Sequence, residues 1–334
     1  MNRFISLFAL VLWSVLFFGT QSMAADKESC FYIDEKGVFR QVDSRNDIPE
    51  PYRSSAKCSA LRMNTQLDAP DEIELKGPKG RESLVSDIGP ISLHWPRKTE
   101  KLLGKTPKRA MADAARMVSR AVKKPGFPTE IRRLDLDWNV VFLDAELPET
   151  QIPSYLVSNC HPAWMTAPSN VYVVVQRVAS GCGGGPAPRP SEVDAKLAEV
   201  LAHEIGHAVE ARLLNGQMVQ DRMLAEGFAT WFESFASDFS DVIRSGVVRK
   251  EHFELAKKSL QSQPGSWTFQ GTAEDYARAS LLFHAVVEDK GVRGLMKVYE
   301  VMREKKLPFF DAVKEATYWD QERLFKKAYG VVGY

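Results

Sequence analysis

The stretch that decides the fold is VDAKLAEVLAHEIGHAVEARLL, residues 193 to 214. It contains no proline, and its apolar positions recur every three or four residues, which predicts a helix. Ser191 stands just ahead of it as a candidate N-cap. Within the helix, His203 and His207 are four residues apart, so both imidazoles lie on one face. Two histidines at this spacing can bind one metal ion, and Glu204 lies beside the first.

A catalytic zinc ion usually has three protein ligands, so a third must come from elsewhere in the chain. In the metzincin pattern, position 210 would be glycine and position 213 histidine, but this chain has Glu210 and Leu213. In the gluzincin pattern the third ligand is a glutamate on a second helix. Glu226 follows His207 with 18 residues between them, in the sequence LAEGFATWFESFA. The sequence therefore predicts one zinc ion bound by His203, His207 and Glu226.

The HEIGH motif, this gap and the sequence EGFATWFE together resemble the active-site core of gluzincin metallopeptidases, the clan of thermolysin and the zinc aminopeptidases. The resemblance covers residues 191 to about 290. It implies a zinc-dependent peptidase in which Glu204 acts as general base and then as general acid. The alternative is that the two histidines are ordinary helix residues and Glu226 is a solvated charge.

An oxyanion formed during peptide hydrolysis needs a second hydrogen-bond or metal partner, which gluzincins often supply from a tyrosine or histidine. Tyr276, 50 residues after Glu226, immediately precedes an apolar helical pattern in AEDYARASLLFHAVVEDKG. This context is similar to that of the transition-state tyrosine of zinc aminopeptidases, which implies a catalytic role. The alternative is that Tyr276 belongs with Ser280 and Phe283 to one packed helix face.

Glu233 lies two helical turns after Glu226 and could orient a ligating histidine, although a surface carboxylate is an equal alternative. His161, in SNCHPAWMTAP, could reach the cleft from a preceding loop. The remaining histidines have no ligand spacing, and we expect them at the surface (His94 and His252) or packed in a helix (His284).

The first 24 residues predict a secretory signal peptide: Arg3, an apolar run from Phe4 to Phe18, and the small residues Ser22 and Ala24 before the cleavage point. A membrane anchor is the alternative, but polar residues interrupt the run and no positive flank follows. The mature protein is therefore expected in the periplasm or outside the cell, without stable membrane insertion.

Removal of Arg3 with this segment leaves 43 basic and 43 acidic residues, which argues against a nucleic-acid partner. The four cysteines are expected to form disulfides in an oxidising compartment. Locality favours Cys30 with Cys58 and Cys160 with Cys182, among three connectivities.

The mature chain divides into three predicted regions. Residues 25 to 68 form a small cysteine-bracketed β module, with a turn at residues 34 to 37 between two short strands. It resembles a module found near the start of many secreted bacterial proteins. Residues 69 to 83 are rich in proline, glycine and charge and read as a linker. Residues 84 to 334 form the expected peptidase domain, with an α/β part up to residue 190 and a helical part thereafter.

The α/β part is predicted to contain a helix from Lys108 to Lys124 and strands over residues 137 to 143 and 170 to 178. The helical part has amphipathic stretches that end at Gly291, Lys306 and Gly330. The expected fold class is thus α+β. By resemblance to gluzincins, the last strand is expected to be the edge strand of a small mixed sheet, on which substrate lies by β-addition. An internal strand is the alternative.

The chain lacks the Gly-x-Met-Glu-Asn motif with which zinc aminopeptidases bind a free amino group. A secreted endopeptidase or oligopeptidase that acts on peptide or protein substrates is therefore expected ahead of an aminopeptidase. The alternative from another class is a catalytically weak zinc protein that binds envelope polypeptides or cell-wall material.

Overall fold

The computed structural model describes residues 28–33, 39–42, 46, 48–53, 57–60, 79–96, 107–143, 161–166, 169–181, 188–189, 191–265 and 267–334. They belong to two compact units that divide between Thr65 and Gln66. The predicted signal peptide lies outside the described residues. Among those that are described, no helix is both long and apolar enough to cross a bilayer.

The first unit contains a three-stranded antiparallel sheet. Its central strand, β1 (Glu28–Ile33), pairs with β2 (Phe39–Val42) and β3 (Lys57–Ala60). The register places the backbone of Cys30 directly opposite that of Cys58. Opposed Cα atoms in such a ladder are about 4.5 to 5.5 Å apart, a separation that a disulfide can span. The Cys30–Cys58 bond stays a prediction, and Cys160 and Cys182 lie outside the described residues.

The second unit is built on a mixed sheet with the order β4-β5-β6-β8-β7. The strands are β4 (Lys79–Ser86), β5 (Gly89–Pro96), β6 (Trp138–Leu143), β7 (Ala163–Thr166) and β8 (Asn170–Val174). The β5/β6 and β6/β8 pairs are parallel, whereas the hairpins β4/β5 and β7/β8 are antiparallel. The predicted mixed sheet is thus present.

The sheet corrects the predicted linker over residues 69 to 83, because β4 already begins at Lys79. Among the described strands it pairs only with β5, and its outer positions face solvent; Val85, for example, is 90% exposed. An outer strand needs backbone pairing on one side and tolerates charged side chains. Its composition therefore resembles that of a linker.

The sheet also corrects the predicted edge strand. The chain leaves β8 after Val174 and turns into a short helix, α2 (Val175–Ala179), so the strand is shorter than predicted. β8 lies between β6 and β7, and its residues from Val171 to Val174 are all buried. A β-branched run buried on both faces is typical of an internal strand. Among the described strands, β7 is the edge on this side of the sheet.

The rest of the second unit is mostly helical, and with the sheet it confirms the α+β class. Besides α2, the helices are α1 (Pro107–Val122), α3 (Val193–Leu213), α4 (Arg222–Ser237), α5 (Val247–Ser262), α6 (Ala273–Lys305), α7 (Phe309–Thr317) and α8 (Gln321–Val331). The predicted helix over 193 to 214 is confirmed, but its N-cap is Glu192 rather than Ser191. Non-helical dihedrals at Gly291 (φ 67°, ψ 176°) interrupt α6, as its glycine predicted.

Two glycines let three helices approach each other closely. A Cβ added at Gly206 of α3 would lie 3.2 Å from Cα of Ala229 on α4. A Cβ added at Gly227 of α4 would lie 2.9 Å from the carbonyl of Ala279 on α6. The backbones therefore meet with no room for a side chain. This packing sets the distance between the helices that carry the predicted ligands.

We expect Gly227→Ala to destabilise the protein by about 1 to 3 kcal/mol, because the added methyl group overpacks the contact between α4 and α6. Gly330→Ala is the matched control, since a Cβ there meets no atom within 4 Å. It should leave stability unchanged or raise it by up to about 1 kcal/mol. Urea unfolding of both variants measures the effect, and equal midpoints would contradict the packing argument.

Candidate metal centre

The predicted metal ligands lie on two successive helices, α3 and α4. After α3 the chain reverses through Asn215 (φ 56°) and Gly216 (φ 85°). The amide of Gly216 donates to the carbonyl of Ala211, which closes the end of α3. The carboxylate of Asp221 then caps α4 by accepting from the amide of Leu224 at 3.3 Å. The short reversal returns α4 along α3 and presents Glu226 to the two histidines.

The carboxylate oxygen of Glu226 lies at zinc-like separations from the two histidine nitrogens. Oε2 of Glu226 lies 3.3 Å from Nε2 of His203 and 3.5 Å from Nε2 of His207, and all three ligand atoms lie within 4.8 Å of one another. Tetrahedral ligands about 2.05 Å from zinc are roughly 3.3 Å apart. The residues therefore fit a zinc ion, with only small side-chain adjustments.

Burial and hydrogen bonds prepare these side chains to bind a cation. The side chains of His203, His207 and Glu226 are 14%, 12% and 16% exposed. Burial alone would raise the pKa of Glu226, but hydrogen bonds from the two histidines hold this pKa well below its usual value. The carboxylate is thus ionised at neutral pH, as metal ligation requires.

Glu233 orients the first histidine. Nδ1 of His203 lies 3.0 Å from Oε2 of Glu233. A carboxylate accepts, so Nδ1 donates to Glu233, and Nε2, which faces Glu226, is the atom that would bind a metal ion once its own proton is lost. Glu233 is 7% exposed, which rules out the alternative of a surface carboxylate. Nδ1 of His207 is buried without a hydrogen-bond partner among the described residues.

Glu204 stands beside the ligands on α3 and is 5% exposed. Burial raises the pKa of its carboxyl to about 7, although the charges of His203 and His207 act to lower it. A carboxyl with a pKa near neutral pH exchanges protons readily in both directions. Glu204 thus places a carboxyl that can exchange protons beside the candidate ligands.

Three further side chains form a polar cluster next to the ligands. Nη2 of Arg222 lies 3.2 Å from the hydroxyl of Tyr276 and 3.4 Å from Nε2 of His161. The Tyr276 hydroxyl lies 3.3 Å from Nδ1 of His161, and its ring centroid is 6.0 Å from that of His203. Nε of Arg222 is also 3.6 Å from Oε1 of Glu226. The structure thus brings both predicted residues, His161 and Tyr276, to the metal centre.

Tyr276 lies in the first turn of α6 rather than ahead of it. Thr272 caps this helix in a capping box with Asp275. The predicted packed face exists further along, where Ser280 and Phe283 are completely buried. Tyr276 stands at the end of that face and points into the polar cluster.

The sequence did not single out Arg222. Its position four residues before Glu226 on the same helix face was the available signal.

The position of His252 differs from the predicted one. It is 9% exposed, and its Nε2 lies 3.8 Å from Oε1 of Glu233. The helix α5 packs on α6, which covers a histidine that no sequence spacing connects to the site. His94 is half-buried on β5. His284 is buried against the ring of Phe253, as expected for a packed histidine.

No protein-family model and no curated protein matches the sequence. A comparison with solved structures matches, among others, a point mutant of the M1 zinc metallopeptidase from Deinococcus radiodurans. The identity is 15% and the TM-score is 0.43. The alignment covers 77% of this chain and 52% of that one, so the chain spans about half the length of the similar structure.

Glu226→Ala and His207→Ala should each lose most of the bound zinc, because two ligands hold the ion far more weakly than three. Glu300→Ala, on the exposed part of α6, is the control and should retain one ion per chain. Elemental analysis after dialysis against a weak chelator measures the content. A full complement of zinc in Glu226→Ala would rule out the third ligand.

Proposed function

We propose that the protein is a zinc-dependent peptidase of gluzincin type. The observation that carries the proposal is the set of three ligand atoms within 4.8 Å of one another, with the buried carboxyl of Glu204 on the same helix. Zinc bound there would lower the pKa of a water molecule to ~7 and polarise the scissile carbonyl. The remaining steps fall to side chains of the chain itself.

Glu204 is proposed as general base and then general acid. Its pKa of about 7 suits a group that takes a proton from the attacking water and returns it to the leaving amine. A protein that only binds zinc, or uses zinc to bind a polypeptide, needs no such carboxyl. The presence of Glu204 in this environment therefore supports hydrolysis over binding alone.

Tyr276 is proposed as the hydrogen-bond donor to the oxyanion. The Arg222 guanidinium can only donate hydrogen bonds, so Nε2 of His161 is the acceptor in the contact between them. Burial lowers the pKa of His161 to about 4, so its ring is neutral at neutral pH. Because Nε2 is an acceptor, the single ring proton is on Nδ1, which donates a hydrogen bond to the Tyr276 oxygen.

The tyrosine oxygen thus accepts from both Arg222 and His161, and its own proton remains to be donated elsewhere. Burial, and then the negative charge of Glu226 next to the metal position, raise the pKa of Tyr276, so the hydroxyl keeps its proton at neutral pH. The cluster therefore holds one donor at the place where an oxyanion would form.

Edge strand β7 is proposed as the strand on which an extended peptide lies by β-addition. It packs against α3, and His161 stands two residues before its start. A peptide paired with β7 would pass beside the polar cluster. Because the chain lacks the aminopeptidase motif, we propose internal peptide bonds or short oligopeptides as substrates. The predicted signal peptide implies that the substrates are hydrolysed in the periplasm or outside the cell.

Glu204→Gln should retain one zinc ion per chain and lose hydrolysis, because the amide keeps the shape of the side chain but cannot accept the proton of water. Cleavage-site sequencing of a peptide library, with and without chelator, detects the wild-type activity and its specificity. Metal analysis of the variant supplies the control. Undiminished cleavage by Glu204→Gln would exclude the assigned base.

Tyr276→Phe should lower kcat by about 10²- to 10³-fold with little change in KM, since one oxyanion donor contributes roughly 2.7 to 4 kcal/mol to the transition state. Tyr318→Phe, at a position that is 88% exposed, is the matched control and should be normal. Steady-state kinetics, a melting curve and zinc content together test the role. Turnover of Tyr276→Phe within about threefold of wild type would leave packing as the function of this residue.

A further inference from the structure

A second cluster of polar side chains lies behind the metal centre, on the side of Glu233. Glu199, Glu233 and His252 come from α3, α4 and α5, and one ligand-type atom from each lies within 4.8 Å of the others. All three residues are buried, with 5%, 7% and 9% exposure. Nζ of Lys196 contacts Oε1 of Glu199. Two carboxyls thus meet in the interior, where such groups are expensive unless they have partners, and the half-exposed Lys196 pairs with one of them.

These side chains form one continuous path to the metal ligand. Lys196 contacts Glu199, a carboxyl oxygen of Glu199 lies within 4.8 Å of one of Glu233, and Glu233 holds Nδ1 of His203 at 3.0 Å. Lys196, Glu199 and His203 share one face of α3, at spacings of three and four residues. The path thus runs along the ligand helix itself and crosses to α4 only at Glu233.

The metal centre alone gives no reason for the first two members of this path. Neighbouring inward positions of α3 are apolar, with Leu197 and Leu201 completely buried. A buried carboxylate such as Glu233 has several orientations of similar energy unless its second oxygen is also bound. The carboxyl of Glu199 lies next to that of Glu233, and Lys196 supplies a positive charge that offsets the two adjacent carboxyls.

We propose that Lys196 and Glu199 are positioning residues of the metal centre, which fix the carboxylate of Glu233 and through it the imidazole of His203. Outer partners of a ligating histidine set its orientation and raise its basicity, and their loss typically lowers metal affinity by about 10- to 100-fold. The proposal rests on the proposed zinc site but not on the identity of its substrate.

The decisive pair of variants is Glu199→Leu and Glu199→Gln. Leucine has about the same size but offers no hydrogen bond, so zinc affinity should fall by about 10- to 100-fold. Glutamine can still donate to Glu233 through its amide, so its affinity should stay within about threefold of wild type. Competition with a coloured chelator measures both affinities. The absorption spectrum of the cobalt-substituted protein should change for leucine alone, because it reports ligand geometry.

Lys196→Met provides a second test at a side chain that is 38% exposed and therefore tolerant of substitution. It should weaken zinc binding in the same direction. Lys297→Met is the matched control, because Lys297 makes an ion pair of the same spacing with Glu300 on the surface of α6. Melting curves of the metal-free proteins show which variants remain folded. If Glu199→Leu does not fold, Lys196→Met decides the question.

Wild-type zinc affinity and an unchanged cobalt spectrum in folded Glu199→Leu or Lys196→Met would overturn the proposal. A wild-type protein with two zinc ions per chain, reduced to one by Glu199→Leu, would overturn it too, because the cluster would then be a second metal site. A wild-type protein that binds no zinc would instead refute the proposed function. Weakened binding without any peptidase activity would uphold the positioning role and refute only hydrolysis.

Discussion

The close contact between α3 and α4 is the constraint on which the metal centre depends. Gly206 lies between the two ligating histidines, and it meets Ala229, which is one turn after Glu226. The ligands therefore flank the point where the helix backbones are closest. A methyl group at this contact would lie 3.2 Å from Cα of Ala229, so the neighbouring backbone would have to give by a few tenths of an ångström. Packing of small residues thus sets the ligand geometry directly.

Around this contact, polar groups are arranged in layers that each fix the next. Glu233 sets the tautomer of His203 from one side, and behind it lie Glu199 and Lys196. On the other side, Arg222 bridges Glu226 and Tyr276. Most of these groups are buried, so their interactions are weakly screened and a single arrangement is favoured over alternatives. This arrangement would keep the site formed before a substrate or an ion arrives.

Prediction from the sequence succeeded where the determinants are local. The helix over 193 to 214 and the break at Gly291 follow from periodicity and backbone freedom, both of which are readable from neighbouring residues. Prediction from the sequence failed where the structure of a segment depends on a distant strand or helix that packs against it. The sequence of β4 resembles that of a linker because a strand paired on one side tolerates charged side chains. β8 is internal because β7 pairs with its outer edge. His252 is buried because another helix packs over it.

The sequence by itself determined the three candidate ligands and the base, since a helical repeat of 3.6 residues places His203 and His207 on one face whatever surrounds them. It also determined the α+β class and the gap that allows Glu226 to return on a second helix. Only the tertiary structure decided that Arg222, His161 and Tyr276 share one hydrogen-bonded cluster, because these residues are far apart in sequence. Their meeting depends on how α4, α6 and the sheet pack, and packing is a property of surfaces in contact rather than of spacing along the chain.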